Sequence, residues 1–383
     1  MVSKKLEINT LRNFLFIVMA ILFFNNCSSL SNDKIEFERR LIRSNSKYIP
    51  DISLAVNDIV LDQEKSIVTV KGKTTSSELY TDLKIFSDSL SFEFEVVLLP
   101  DPSLGDSVHG IVNVSVAPMR DRSSHTAQMV DQAIMGNMVK ILYENEDWYL
   151  CQTHYDYVGW ITKSAVYQCN IDLLFDWEKN AKHRIKTLNT VIYSQPNRSS
   201  TPVSDGILNN RLNISENLSE WYEVTLPDGR VGFIDKKNVE LINNERDNED
   251  QNEHIISTAL SMKGVPYLWG GNSSKANDCS GFTQTVFKSA GIQLPRDARQ
   301  QAQMGKPVKK ENLKKGDLLF FGSGERVTHV AISMGIDDFI HQGSKLEGKV
   351  DIHSLNPDSP KFSSYRKETF LFARRITTIP NDQ

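Results

Sequence analysis

Two neighbouring stretches decide the fold of this chain, Tyr267-Leu268-Trp269-Gly270-Gly271 and Asn277-Asp278-Cys279-Ser280-Gly281-Phe282, because together they bring a cysteine to the start of a helix. The apolar residues from Phe282 to Ala290 fall on one helical stripe, and Gly291 follows as a stop signal. The Asn-Asp pair before the cysteine then supplies the N-cap. A sulfur in that first turn lies near unpaired N–H groups and the positive end of the helix dipole, which favour thiolate. The sequence therefore predicts that Cys279 is a nucleophile.

A histidine that can serve as its base stands at the start of an apolar strand. His329 is followed by Val330-Ala331-Ile332, and Phe339-Ile340-His341 begins after a turn. A hairpin centred near Gly335 places His329 opposite His341. We expect His329 to be the general base and His341 to orient it, with a bell-shaped pH profile if thiolate and imidazolium are both required. A lone cysteine or histidine is more often structural, so the combination carries the argument.

Six motifs in this part of the chain, over residues 253–377, resemble the NlpC family of bacterial cell-wall cysteine peptidases, which share a papain-like core. The resemblance implies a triad of Cys279, His329 and His341, with the Tyr267 hydroxyl and the Cys279 N–H stabilising the oxyanion. It also implies a substrate bond between γ-D-glutamate and a diamino acid in peptidoglycan stem peptides. The motifs are Tyr267-x-Trp269-Gly270-Gly271, Asp278-Cys279-Ser280-Gly281-Phe282, Leu294-Pro295-Arg296-Asp297, Leu313-x-x-Gly316-Asp317-Leu318-x-Phe320-Phe321, His329-Val330-x-Ile332 and Phe339-Ile340-His341.

An internal repeat precedes the catalytic segment. Trp148 stands eleven residues before Gly159, and Trp221 stands eleven residues before Gly232. The short strands, polar turns and Trp-Tyr pairs of both copies resemble bacterial SH3-like barrels. We therefore expect an α+β protein in which a papain-like NlpC catalytic domain follows two small SH3-like β-barrels and a short N-terminal α+β segment. The expected boundaries are 28–106 for the N-terminal segment, 107–168 and 183–242 for the barrels, and 253–377 for the catalytic domain.

The two copies differ at one position that bears on the substrate. Where the second barrel has Arg230 before its Val-Gly pair, the first has Tyr157. The arrangement resembles a subfamily in which the first barrel closes the cleft and a tyrosine helps to bind the free amino group of an N-terminal L-alanine. Tyr157 then binds substrate, or else it only covers the core of its own barrel. The other substrate-binding candidates are Trp269, as an apolar wall, and Asp278, Ser280 and Asp297, as acceptors for an ammonium group.

The first 27 residues are typical of an export signal of the lipoprotein type. Basic residues precede the apolar run Phe14–Phe24, which is shorter than the ~20 residues that span a bilayer. Cys27 follows as the lipidation candidate, although Asn26 stands where the lipoprotein pattern has Gly, Ala or Ser. Cleavage after one of the serines that follow, or an uncleaved anchor, are the alternatives. All three place the protein outside the cytoplasm. We expect it in the cell envelope, as an anchored lipoprotein or in the periplasm, with any membrane contact made only through the N-terminal anchor.

Composition limits the partners. The chain has 44 Lys and Arg against 48 Asp and Glu, a net charge of −4, so no basic field predicts nucleic-acid binding. A zinc site made of Cys279, His329 and His341 lacks a fourth ligand at a recognisable spacing, and we expect no metal and no cofactor. Cys151 and Cys169 either form a disulfide or are two buried apolar residues, and we favour the second. We expect a monomer.

Three functions are compatible with these features. The favoured one is a peptidase that acts on released fragments of peptidoglycan, since a stem peptide still linked to muramic acid has no free amine. The second is an endopeptidase on intact wall that uses the barrels as wall-binding modules. The third is a tethered binding protein with a silent catalytic domain, and the joint presence of Cys279, His329 and His341 argues against it.

Overall fold

The computed structural model describes residues 32–64, 67–242, 248–343 and 347–376. The predicted export signal and the lipidation candidate Cys27 lie outside this part of the chain. Two compact units are present, Met1–Leu99 and Pro100–Gln383, and each is described by itself. Among the residues just given, none of the helices combines the length and the apolar character that crossing a membrane requires.

The helices and strands are numbered in chain order. The helices are α1 Asn32–Tyr48, α2 Ser77–Ser89, α3 Ile171–Asn180, α4 Asn248–Ser261, α5 Cys279–Ser289, α6 Ala298–Gln301 and α7 Ser364–Thr369. The strands of the first unit are β1 Val60–Glu64, β2 Ile67–Thr74 and β3 Glu93–Leu98. The next fourteen strands are β4 His109–Val112, β5 Val116–Arg120, β6 Met129–Ile134, β7 Met138–Asn145, β8 Trp148–Thr153, β9 Val158–Thr162, β10 Val166–Cys169, β11 His183–Ile185, β12 Asn189–Tyr193, β13 Pro202–Ile207, β14 Arg211–Asn217, β15 Trp221–Thr225, β16 Val231–Asp235 and β17 Val239–Leu241. The last six are β18 Lys306–Val308, β19 Leu318–Ser323, β20 Arg326–Ser333, β21 Asp338–Gln342, β22 Val350–Ser354 and β23 Phe370–Arg375.

The first unit is a small α+β fold, as expected. Strands β2 and β3 run parallel with α2 as their crossover, and β1 pairs with β2 on the other side. The Ser76 hydroxyl caps α2 by accepting the N–H of Leu79, which fixes where the helix begins. Phe37 of α1 is fully buried against this sheet and helix.

The two repeats fold into equivalent seven-stranded sheets. Their strand orders are β10-β4-β7-β8-β9-β5-β6 and β17-β11-β14-β15-β16-β12-β13, which correspond strand for strand. The predicted repeat is therefore confirmed. The predicted closed barrel is corrected: among the described residues, no pairing joins the outer strands β10 and β6, or β17 and β13, so each sheet stays open. Cys151 and Cys169 are free and buried in different apolar clusters.

The C-terminal domain packs helices on a six-stranded antiparallel sheet of order β18-β23-β19-β20-β21-β22. Helix α5 begins at Cys279, and the Asp278 carboxylate caps it by accepting the N–H of Gly281. The predicted apolar stripe of α5 faces this core, where Phe282 and Val286 are fully buried. Helix α4 begins at Asn248, five residues before the expected start of the catalytic domain at 253.

Candidate active site

The nucleophile candidate lies at the start of α5, where the preceding glycine-rich loop lies against the helix. A side chain at Gly281 would collide with the carbonyl oxygen of Gly271, so the glycine-rich loop can lie directly against the helix. The backbone N–H groups of Ser280 and Val330 both donate toward the Cys279 sulfur. Because Val330 follows His329 on β20, these contacts place the sulfur beside the histidine strand.

The protonation of Cys279 differs from the sequence-based expectation. Burial, and next the nearby Asp278 carboxylate, raise the pKa of the Cys279 thiol to about 11. The two N–H groups act in the opposite direction and are outweighed. The free enzyme therefore holds a neutral thiol at neutral pH, and the helix terminus by itself does not produce a thiolate.

The two histidines meet as expected, with a different register. Nε2 of His329 lies 2.9 Å from Nδ1 of His341. Strands β20 and β21 pair Ile332 with Ile340, so the hairpin is centred one residue beyond Gly335. Continued along the strands, that register makes the histidines diagonal neighbours on one face, and the predicted directly opposite pairing is corrected. Nδ1 of His329 is left as the nitrogen that can act on a thiol.

Both histidines are held neutral. Burial, and next the Arg366 guanidinium, lower the pKa of His329 and of His341 well below the usual range. Arg366 is itself buried and lies over the Phe321 ring, which contacts His329. The resting pair is therefore a thiol and a neutral imidazole, which exchange a proton only as the sulfur attacks.

This pairing predicts an unusually broad pH profile. The ordinary pKa values are 6.5 for a histidine and 9 for a cysteine. Because both pKa values are shifted outward here, we expect kcat/KM to be flat between pH 6.5 and pH 9. His329 becomes protonated only at lower pH, and Cys279 ionises only near pH 11. The measurement is kcat/KM from about pH 4 to pH 11, which reports the free enzyme. A limb with its midpoint between pH 6.5 and pH 9 would show that one group keeps its ordinary pKa.

The other cleft candidates lie around the nucleophile. Burial raises the pKa of the Tyr267 phenol, and a negative charge on the Cys279 sulfur would act in the same direction. Trp269 is 63% exposed and is therefore not a core residue. Gly270, which follows it, has a φ of +73°, and a side chain there would lie 2.5 Å from the carbonyl oxygen of Met129 in β6. The first repeat therefore packs against the loop that carries Tyr267 and Trp269. The two repeats are called the first and second module from here on.

A buried arginine joins the first module to the catalytic domain, and sequence reasoning gave it no role. Arg296 is 2% exposed. Its Nε lies 2.6 Å from Asp131 in β6, and its Nη2 lies 2.6 Å from Asp278. Asn272 and Tyr155 also donate to the Asp131 carboxylate. This network links the first module to Asp278, the residue that caps α5.

The network also decides what Asp278 and Ser280 can do. Asp278 accepts five hydrogen bonds, from the N–H groups of Gly270 and Gly281, from the Ser280 hydroxyl and twice from Arg296. A carboxylate has about four lone-pair positions. Ser280 is 5% exposed, and its hydroxyl also accepts from Arg296. The Asp278 carboxylate is therefore occupied by contacts within the protein, whereas the Ser280 hydroxyl keeps one acceptor lone pair for a ligand.

Tyr157 and Asp297 come together across the module boundary. The Tyr157 hydroxyl lies 3.4 Å from Oδ1 of Asp297, although the two residues are 140 positions apart. Burial, and next the Asp297 charge, raise the pKa of Tyr157. Asp297 remains partly exposed and also accepts from Arg299. At the position in the second module that corresponds to Tyr157, Arg230 donates to the Asn113 carbonyl of the first module at 2.8 Å.

One group of side chains has spacing suitable for a metal. Among the described residues, His341, Glu347 and His353 place ligand atoms within 4.8 Å of one another. His341 and His353 form a hydrogen bond with each other, between Nε2 of His341 and Nδ1 of His353, which are 2.9 Å apart. Their proximity is thus accounted for by their own contact. Sequence reasoning missed His353. Its signal was present in the spacing, since His329, His341 and His353 follow one another at intervals of twelve residues.

Comparisons with known proteins identify relatives of both the C-terminal domain and the first repeat. The sequence profile of the NlpC/P60 family matches residues 264–368, and that of the bacterial dipeptidyl-peptidase SH3 domain matches residues 119–166. The chain is 31% identical over 239 residues to a γ-D-glutamyl-L-lysine dipeptidyl-peptidase of Bacillus cereus, over 59% of this chain and 70% of the relative. It is 29% identical over 289 residues to dipeptidyl-peptidase 6 of Lysinibacillus sphaericus, over 71% and 98%. The crystal structure of an NlpC/P60 family protein from Bacillus cereus aligns with a TM-score of 0.59 at 25% identity, over 70% of this chain and 99% of that one.

Proposed function

The chain belongs to the NlpC/P60 family of cysteine peptidases, which hydrolyse peptidoglycan, and from that premise we propose that it cleaves the γ-D-glutamyl–diamino acid bond of stem peptides. The observation that carries the proposal is Cys279 at a helix start beside β20, with His329 bonded to His341 at 2.9 Å. The name of the Bacillus cereus relative supports the choice of bond.

The mechanism uses these side chains in order. His329 accepts the thiol proton on Nδ1 as the Cys279 sulfur attacks the γ-carbonyl carbon, and His341 holds the ring at Nε2. The Tyr267 hydroxyl and the Cys279 N–H stabilise the negative oxygen that develops. The same proton then passes to the departing amine, which leaves a thioester. Water, deprotonated by His329, releases L-Ala-D-Glu and restores the thiol.

We further propose that the enzyme selects fragments with a free N-terminal L-alanine. The Tyr157 hydroxyl and the Asp297 carboxylate form the pair of acceptors that supports this choice. An ammonium group leaves water only where charged or polar acceptors replace its hydration. Because the Asp278 carboxylate is engaged by Arg296, Asp297 carries the negative charge of the proposed site, and the Ser280 hydroxyl adds a neutral acceptor.

The experiment that tests the function compares two matched peptides. One is L-Ala-γ-D-Glu-diamino acid, and the other is the same tripeptide with its alanine nitrogen acetylated. Release of the diamino acid from the free-amine peptide only is the expected result. Cleavage of both at equal rates would leave the chemistry standing and favour an endopeptidase on intact wall. Cleavage of neither, by folded protein, would contradict the proposed bond.

Two variants test the amine site directly. Asp297→Asn should lower kcat/KM for the free-amine peptide by roughly 10- to 100-fold, because a charge-assisted hydrogen bond is lost from a partly buried site. Asparagine also caps helices, so α6 should be retained. Tyr157→Phe should have a smaller effect in the same direction. The matched control is Tyr167→Phe, at an exposed tyrosine of the first module. An unchanged kcat/KM for the free-amine peptide in Asp297→Asn would refute a role of Asp297 in binding the amine.

We also propose that the enzyme works outside the cytoplasm, exported by residues 1–27 and anchored through lipid on Cys27. The apolar run followed by a cysteine supports this proposal. In the host, Cys27→Ser should move the protein from the membrane fraction to the soluble fraction. An unchanged membrane fraction would favour the uncleaved anchor.

A further inference from the structure

The hydrogen-bonded histidines continue beyond the triad. Nε2 of His341 lies 2.9 Å from Nδ1 of His353, and Nε2 of His353 lies 3.6 Å from Oε1 of Glu347. Strands β20, β21 and β22 each supply one ring, and β21 and β22 pair with Phe339 opposite His353, so each histidine is again diagonal to the previous one. The side chains of His353 and Glu347 are only 21% and 15% exposed. The chain of rings therefore ends on a partly buried carboxylate.

That end group dictates where each proton sits. A carboxylate oxygen only accepts, so the ring nitrogen that faces Glu347 at 3.6 Å favours N–H over a lone pair. A neutral His353 with its proton on Nε2 must accept at Nδ1. His341 must then donate from Nε2 and accept at Nδ1, and His329 must donate from Nε2. Each neutral ring has one donor and one acceptor, and the direction passes along the whole chain.

The same logic identifies the wrong arrangement. If the direction were reversed, His329 would carry its proton on Nδ1 and could not accept one from Cys279. Both arrangements satisfy every bond between the rings, so the contacts within the triad do not select one. Glu347 breaks this symmetry because it cannot donate.

We propose that Glu347 and His353 are positioning residues that fix the tautomers of His341 and His329 and so keep Nδ1 of His329 available as the base. The inference rests on the proposed function, because it concerns the same nucleophile. Arg366 contributes as well, since it is buried over the Phe321 ring and its charge opposes a second proton on either buried histidine. Neutral rings are the condition under which the carboxylate controls the direction.

The test changes the hydrogen-bonding capacity of residue 347, at the end of the chain of histidines. Glu347→Lys replaces an acceptor by a donor, and Glu347→Gln offers both. Enzyme labelled with ¹⁵N-histidine is compared by long-range ¹H–¹⁵N spectra, which distinguish protonated from unprotonated ring nitrogens. We expect Nε2–H tautomers at all three histidines of the unaltered enzyme, a mixture in Glu347→Gln, and Nδ1–H at His329 in Glu347→Lys. The matched control is Glu368→Lys on the exposed surface of α7, which should leave the spectra unchanged.

Turnover supplies the second readout. We expect kcat to fall about 10- to 100-fold in Glu347→Lys with KM changed far less, as for groups that orient a reacting side chain, and Glu347→Gln to lie between. If the lysine variant does not fold, His353→Phe keeps an aromatic ring and removes the acceptor, and the same tautomer change is expected at His341. An Nδ1–H tautomer at His329 in the unaltered enzyme, or unchanged tautomers in the lysine variant, would overturn the proposal. The spectra need no substrate, so a failure of the proposed reaction is seen separately.

Discussion

Replacement of Cys279 by alanine is expected to lower kcat/KM by at least about 10⁴-fold while the protein stays folded. The loss is large because no other group can form the thioester, and His329 then has no thiol to deprotonate. The fold should persist because the helix is capped by Asp278 and anchored by Phe282, neither of which depends on the sulfur. Alanine is also the best helix former. The measurement is release of the diamino acid, together with the thermal unfolding midpoint.

A matched variant separates chemistry from packing. Cys151→Ala removes a fully buried thiol from the core of the first module. It should lower stability by roughly 1–2 kcal/mol through lost packing, with kcat retained. Turnover that survives in folded Cys279→Ala would exclude a covalent mechanism, whatever the behaviour of the control.

Replacement of Arg296 by methionine is expected to lower the free energy of unfolding by about 3–5 kcal/mol. Methionine fills similar space, but it leaves Asp131, which is fully buried, and Asp278 without their cation. Urea unfolding measures the loss. The surface ion pair of Arg198 with Asp235 provides the control, since Arg198→Met should cost no more than about 1 kcal/mol.

The pH dependence of that loss has a definite sign. Burial already raises the pKa of Asp131, and removal of Arg296 raises it further. A carboxyl group with a raised pKa in the folded state costs stability as pH rises above its unfolded value, near 3.8. The variant should therefore lose less at about pH 4 than at pH 7, and Asp131→Asn in the same chain should restore part of the loss. An equal loss at both pH values would show that packing, and not charge, is responsible.

The features that sequence reasoning predicted are those encoded locally. The cap and stripe around Cys279 lie within one helix, and the repeat is visible in the spacing of Trp148 and Trp221. The histidine contact was found although the predicted strand pairing was wrong by two residues, because a two-residue shift keeps the rings on one face and diagonal neighbours still touch.

The features that it missed depend on distant parts of the chain. Arg296 and Asp131 are 165 residues apart, and no local pattern reports their contact. The raised pKa of Cys279 results from burial in the assembled cleft, which the helix-start argument does not include. Open sheets and closed barrels share the same alternation of apolar and polar residues, so pairing at their outer strands is not encoded locally.

Tyr157 and Arg230 stand at equivalent positions but have different partners, so the two modules cannot replace each other. One copy faces the cleft with a phenol beside Asp297, and the other ties itself to the Asn113 carbonyl of its sibling. In the proposed amine site, an exchange of the two modules would place a guanidinium where the substrate ammonium is expected to bind, and the like charges would repel each other. The two repeats thus have different roles, and each one fits only its own position in the chain.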